Sequence, residues 1–123
     1  MRGRRGKWGL TKQRARELAV QIHRKVAQGR YSISSHALQE GFKDGIMPTD
    51  IKRVLLTGEV IEDYDPDRPE CLILGYTQAE NIPVHLAVNY TKQIRVKTCY
   101  VPQPAEWGTG RIRKPKRHKG DVR

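Results

Sequence analysis

Four side chains in this sequence have the chemistry that metal-free RNA cleavage requires: His36, His85, Lys97 and Tyr100. Cleavage needs a base that removes the proton of the ribose 2′-hydroxyl and an acid that protonates the leaving 5′-oxygen. Histidine suits both roles because its pKa lies near neutral pH. It also needs a cation or hydroxyl near the phosphorane. We therefore take the two histidines as candidate base and acid, and the lysine and tyrosine as candidates for stabilising charge.

Each of these side chains also has an ordinary structural interpretation. A histidine after Ser34-Ser35 can brace the start of a helix, and His85 can be one residue of a sheet face. Tyr100 can pack with its hydroxyl hydrogen-bonded. His23 and His118 are expected to be inert. The acids between Glu59 and Asp67 are consecutive strand and loop residues that would project in different directions, so we expect no metal site and no cofactor.

Four apolar runs must position these candidates. Each is rich in Val, Ile, Leu, Thr and Tyr and is bounded by Pro, Gly, Asn or Asp, which is the pattern of consecutive antiparallel strands. The third run carries His85, and the fourth carries Lys97 and Tyr100. The predicted strands are Glu59–Tyr64, Cys71–Thr77, Val84–Tyr90 and Ile94–Val101.

Strand alternation assigns these side chains to faces. His85 shares a face with Ala87 and Asn89, so it should point away from the apolar face or into a cleft at its edge. Lys97, together with Arg95, should lie on the same side as Cys99, because residues two apart on a strand share a face. Tyr100 should lie on the opposite side unless a bulge intervenes.

Three helical segments precede the strands. Apolar residues at helical spacing predict a helix over Thr11–Gln28, with Thr11 as its N-cap. A short helix through His36 follows Ser34 or Ser35 as N-cap, and a third begins at Pro48-Thr49, with Thr49 as cap, and ends at Gly58. The order predicts an α+β fold, with N-terminal helices packed on a four-stranded antiparallel sheet. Trp107 is expected to fold back against that sheet.

The charge is unevenly distributed over the 123 residues. The net charge is +11, of which residues 1–7 carry +4 and residues 111–123 carry +6. Within the rest, residues 11–30 carry +5 and residues 40–70 carry −5. We interpret residues 1–10 as a basic flexible arm, 11–107 as a single domain and 108–123 as a basic tail.

Such cationic segments bind polyanions without reading their sequence, because neutralised phosphates release counterions. Solvated arms and a solvated helix face are the alternative. The candidate nucleic-acid-binding residues are the cations of both arms, of the first helix and of the last strand. They are Arg2, Arg4, Arg5, Lys7, Arg14, Arg24, Lys25, Arg95, Arg111, Arg113, Lys114, Lys116, Arg117 and Lys119.

The apolar content argues against a membrane protein. No run approaches the roughly 18 apolar residues of a membrane span, and no apolar stretch follows the basic N-terminus as in a secretory signal. Cys71 and Cys99 lack CxxC spacing and read as reduced strand residues. We therefore expect a cytoplasmic protein with no membrane partner.

Several motifs, in this order and spacing, resemble a bacterial family of domains of unknown function related to RelE/ParE-like small toxins. They cover roughly residues 31–107, and Trp107 fits the family's tryptophan after the last strand. Each motif alone is weak, and their order is more specific. They are Ser34-Ser35-His36-Ala37, Gly45-Ile46, Gly58–Tyr64, Leu72–Tyr76, Pro83–Val88 and Lys97–Pro102.

The resemblance implies a RelE/ParE-like fold and a metal-independent endoribonuclease of the mRNA interferase type, acting on mRNA or at the ribosome and paired with an antitoxin. It also implies a functional face near His36, His85 and the end of the last strand. The chain departs from the family pattern at Glu40 and Asp44, where arginines are usual. This departure favours the alternatives: a non-catalytic nucleic-acid- or ribosome-binding module, or a subunit of a larger nucleoprotein assembly.

Overall fold

The computed structural model describes residues 10–104, which form three helices and a five-stranded mixed sheet. The strand order is β1-β5-β4-β3-β2, with β1 parallel to β5 and every other pair antiparallel. The α+β class and the three predicted helices are confirmed. In chain order the elements are α1 Lys12–Ala27, β1 Tyr31–Ile33, α2 Ser35–Lys43, α3 Pro48–Thr57, β2 Glu59–Asp63, β3 Glu70–Tyr76, β4 Pro83–Asn89 and β5 Ile94–Tyr100.

The prediction of four antiparallel strands is wrong by one strand, β1. This strand has only three residues, and its partner lies far along the chain, since Tyr31 pairs with Ile94. A parallel pairing of this kind involves no tight turn, so the sequence carries no hairpin signal for it. β1 nevertheless fixes the segment that leads into α2 against β5.

Helix α1 forms where its apolar spacing predicts it. Thr11 caps it by accepting a hydrogen bond from the Arg14 amide at 3.1 Å. Leu18, Ile22 and Val26, each four residues apart, form its buried stripe. Hydrophobic burial of this stripe against the sheet stabilises the helix more than its own backbone bonds do.

Helix α2 is fixed to β5 at both of its ends. Ser34 is its N-cap, and the Ser34 hydroxyl accepts from the Ala37 amide at 3.0 Å and donates to the Lys97 carbonyl at 3.1 Å. At the other end, the Asp44 carboxylate accepts from the Val101 amide at 3.0 Å. Asp44 is therefore a structural residue that connects the end of α2 to the end of β5.

The N-cap of helix α3 lies two residues earlier than predicted. Its N-cap is Met47 rather than Thr49, and Pro48 occupies the first helical position. The Asp50 carboxylate accepts from the Met47 amide at 3.0 Å, so the polar group that caps this helix comes from its third residue. Proline at the first helical position is favourable because no helical hydrogen bond is needed there.

The core lies between the helices and one face of the sheet. Cross-strand pairing aligns Val60, Ile73, Leu86 and Cys99 in one buried row on this inner face. Helix α2 approaches closely because Gly41 has no side chain; a Cβ there would lie 3.1 Å from the Cys99 Sγ. The next row, Leu74, His85 and Tyr100, therefore faces the other way, on what we call the outer face.

Two register shifts interrupt the alternation of the strands. In β5, Val96 pairs with Val88 and Thr98 pairs with Ala87, so Lys97 is an extra residue between them. In β2, Ile61 is the extra residue opposite β3. After such a bulge, each side chain lies on the face opposite to the one that simple alternation predicts.

Candidate nucleic-acid interface

The histidine on the sheet lies on the predicted face, but it is buried. His85 has 0% exposure on the outer face of β4. Its Nδ1 is 3.3 Å from the hydroxyl oxygen of Tyr100, and the two rings are edge-to-face with centroids 5.3 Å apart. The structure thus brings these two candidates together, in a pair whose histidine is buried and whose tyrosine is half-buried.

The second candidate histidine is not part of that pair. His36 is exposed on the first turn of α2. Because Ala37 and Gly41 of the same helix are buried against the inner face, α2 lies on the other side of the sheet from His85. The structure therefore does not bring His36 and His85 together as base and acid on one phosphate.

Lys97 lies on the outer face, not on the Cys99 side. The bulge in β5 reverses its direction, and its Nζ lies 2.6 Å from the Glu70 Oε2. The Arg68 Nε lies 2.9 Å from the other oxygen of the same carboxylate. Partial burial works to raise the pKa of Glu70, but the hydrogen bonds from Lys97 and Arg68 outweigh it and the pKa is lowered.

Arg14 has a structural role within the domain. Its Nε lies 3.0 Å from the buried carboxylate of Asp63, whose other oxygen accepts from the Tyr90 hydroxyl at 2.7 Å. These bonds join α1 to the ends of β2 and β4. Arg14 is one of the predicted nucleic-acid-binding cations; its guanidinium is paired with Asp63, and its side chain is 38% exposed.

Other cations converge where α1 ends and β1 and β5 begin. The Lys25 ammonium donates to the Lys92 carbonyl at 2.6 Å. The Arg30 carbonyl accepts from the Ile94 amide at 3.1 Å, and Arg95 donates to the Ser32 hydroxyl at 3.2 Å. We call the cations of these three segments the basic corner. Its members are Lys25, Arg30, Lys92 and Arg95. Arg24 instead lines a shallow groove on α1 with Glu17, Val20 and Gln21.

The basic corner carries no compensating acid from its own segments. Residues 18–39 and 81–104 contain no Asp or Glu. Three of its four cations are exposed and Lys25 is half-buried. The nearest acidic segment is the β2–β3 loop at the same end of the sheet, reached through the bond from the Tyr90 amide to the Pro69 carbonyl. The local field of these uncompensated cations therefore favours an anion at the corner.

Sequence reasoning found part of this surface. The predicted cations Lys25 and Arg95 are brought together, the predicted Arg24 is not part of the corner, and Arg30 and Lys92 were missed. The absence of acids from two distant segments was the signal that could have joined them. The remaining predicted cations lie outside the described residues, as does Trp107. They are Arg2, Arg4, Arg5, Lys7, Arg111, Arg113, Lys114, Lys116, Arg117 and Lys119.

Two further findings limit the kinds of site in the described part of the chain. Among residues 10–104 no group of three or more His, Cys, Asp or Glu side chains could hold a metal ion. In the same range no helix has the length and apolar character needed to cross a membrane. Cys71 and Cys99 are both buried and reduced.

The family model of a domain of unknown function, DUF4258, matches residues 33–101. The chain belongs to the DUF4258 family. The DUF4258 match runs from the end of β1 through β5 and includes all four candidate catalytic residues. It begins after α1, so Lys25 and Arg30 of the basic corner precede it. No curated protein and no solved structure gives a significant match to the chain.

Proposed function

We propose that this protein binds RNA by holding its phosphates on the basic corner. The observation that carries the proposal is the convergence of three cationic segments, all from two acid-free stretches of sequence, at one end of the sheet. The resemblance to RelE/ParE-like toxins supports RNA, free or in the ribosome, as the polyanion. These ligands would be met in the cytoplasm.

Binding of this kind reads charge rather than bases. Lysine and arginine side chains contact phosphate oxygens and release condensed counterions, so log affinity falls with log salt at about 0.7 per phosphate for a single strand. Contacts to the backbone position a nucleic acid without specifying its sequence. We therefore expect similar affinity for single-stranded RNAs of different sequence.

Removal of the corner charges tests the proposal. The variant Lys25→Gln, Arg30→Gln, Lys92→Gln, Arg95→Gln should bind a 20-nucleotide RNA more weakly, with a salt slope shallower by up to about 2.8. The matched control removes four exposed cations elsewhere: Lys12→Gln, Lys43→Gln, Lys52→Gln, Arg53→Gln. Fluorescence anisotropy across a salt series measures both quantities. Equal weakening in the two variants would contradict a localised site.

A metal-independent endoribonuclease, acting on mRNA or at the ribosome, is the second candidate. It is favoured by His36, which is exposed at the start of α2, where the Ser34 hydroxyl contacts the β5 carbonyl of Lys97. RNA cut in EDTA should then carry a 2′,3′-cyclic phosphate, and His36→Ala should abolish the cut. Full cleavage by this variant would remove His36 from the mechanism.

Protein partners follow from the same resemblance. An antitoxin, or the other subunits of a nucleoprotein assembly, should co-purify with the natively expressed chain in a defined ratio. Mass spectrometry of the isolated complex distinguishes these two cases from a chain that carries RNA alone.

A further inference from the structure

A carboxylate holds two cations on the outer face beside the basic corner. Glu70 bridges Lys97 at 2.6 Å and Arg68 at 2.9 Å. The side chain of Glu70 is only 15% exposed, whereas those of Lys97 and Arg68 are 49% and 57% exposed. The acid is thus the covered member of the group, and both cations present their outer sides to solvent.

These two cations extend the corner across the sheet. Glu70 pairs with Asn89, and Asn89 pairs with Arg95, so the three residues stand side by side on β3, β4 and β5. The bulge brings Lys97 to this same face, toward Glu70. Arg68 precedes β3 and lies over the ring of Tyr64, with its Cζ 4.6 Å from the ring centroid. The resulting row of cations is Arg95, Lys97 and Arg68.

We propose that Lys97 and Arg68 form a second phosphate-binding site that Glu70 occupies in the unbound protein and that RNA must take over from Glu70. A carboxylate and a phosphate present similar anionic oxygens to lysine and arginine, so each can take the place of the other. Glu70 then acts as an internal competitor that limits affinity. This inference takes its ligand, RNA, from the proposed function.

The competition follows from the donor chemistry of the two cations. An ammonium has three donors and a guanidinium has five, and Glu70 engages one donor on each. A phosphate could therefore approach either cation from its exposed side, but it would lie next to the negative charge of Glu70. Neutralising that carboxylate removes the repulsion and leaves both cations available to the phosphate.

The isosteric variant Glu70→Gln tests this arrangement in the full-length chain. It should bind a 20-nucleotide single-stranded RNA about three- to tenfold more tightly than the control Glu80→Gln, which removes one exposed acid from the β3–β4 turn. Its salt slope should be steeper by about 1.4, for two added phosphate contacts. In the background Arg68→Gln, Lys97→Gln, the substitution at position 70 should change affinity no more than the control does.

The outcomes separate the two proposals. If the corner variant binds weakly but Glu70→Gln matches Glu80→Gln, the second site is refuted and the basic corner stands. If Glu70→Gln tightens binding while the corner variant binds normally, the second site stands and the corner does not. If neither the wild type nor any variant binds RNA, both proposals fail. Circular dichroism confirms that each variant is folded.

Discussion

Removal of the Tyr90 hydroxyl tests the hydrogen bonds that connect α1 to the sheet through Asp63. It donates to the Asp63 carboxylate at 2.7 Å, in a position where the Asp63 side chain is only 6% exposed. Tyr90→Phe removes this donor and keeps the ring, whose centroid lies 5.8 Å from the Arg14 Cζ. A hydrogen bond to a charged group contributes about 1.5–3 kcal/mol. We expect the free energy of unfolding to fall by that amount.

The expected loss is large compared with the total stability of a small domain, which is about 5–15 kcal/mol. Urea titration followed by far-UV circular dichroism measures it, and the slope of the transition should stay unchanged because the same surface is exposed on unfolding. Tyr76→Phe is the control, since Tyr76 is 40% exposed. A loss below about 0.5 kcal/mol, the range of surface substitutions, would refute the role assigned to this bond.

The same bond predicts a pH dependence. Burial, then the hydrogen bond and charge of Asp63, raise the pKa of Tyr90 above its ordinary value. A raised pKa in the folded state contributes stability that is complete below the unfolded pKa of about 10 and is lost as the pH rises toward the folded value. The stability difference between wild type and Tyr90→Phe should therefore shrink above about pH 10. A difference that grows there would have the wrong sign.

Two further predictions concern the core. A Cβ at Gly75 would lie 2.7 Å from both Val54 methyl carbons, so Gly75→Ala should lower the free energy of unfolding by about 1–3 kcal/mol. The double variant Gly75→Ala, Val54→Ala should lose less free energy of unfolding than the sum of the losses in the two single variants. Urea titration of the wild type and the three variants measures this, and additive losses would contradict the contact. Burial raises the pKa of Cys99 to about 12 and also raises that of Cys71. Both thiols should therefore resist Ellman's reagent at pH 8 until urea unfolds the chain, and rapid labelling of the folded protein would contradict their placement.

The local elements of this fold could be predicted from sequence because each is set by neighbouring residues. The spacing of Leu18, Ile22 and Val26 predicted α1 to within one residue at each end. The four apolar runs predicted β2 to β5 with similar accuracy. The predictions that failed concern features that depend on distant residues. Strand β1 exists because β5 lies beside it, and Lys97 changes face because of a bulge that no periodicity shows.

The candidate site illustrates the same limit. Alternation placed His85 on the correct face of β4, but it does not tell whether that face is covered, and His85 is buried. Likewise, no local pattern indicates that the Lys25 ammonium contacts the Lys92 carbonyl, since these residues are 67 positions apart and share only their acid-free surroundings. Composition predicted a basic protein, and only the fold could show which cations share one surface.

The edges of the sheet have a consequence for the proposed binding to RNA, in which many copies could gather on one strand. Within residues 10–104 the two outermost strands are β1, which has three residues, and β2, which is interrupted at Ile61 and begins with the charged Glu59. Short, irregular or charged edges are poor templates for a further strand. Molecules crowded along a polyanion would thus have little tendency to join edge to edge, and dense loading of RNA need not lead to fibrils.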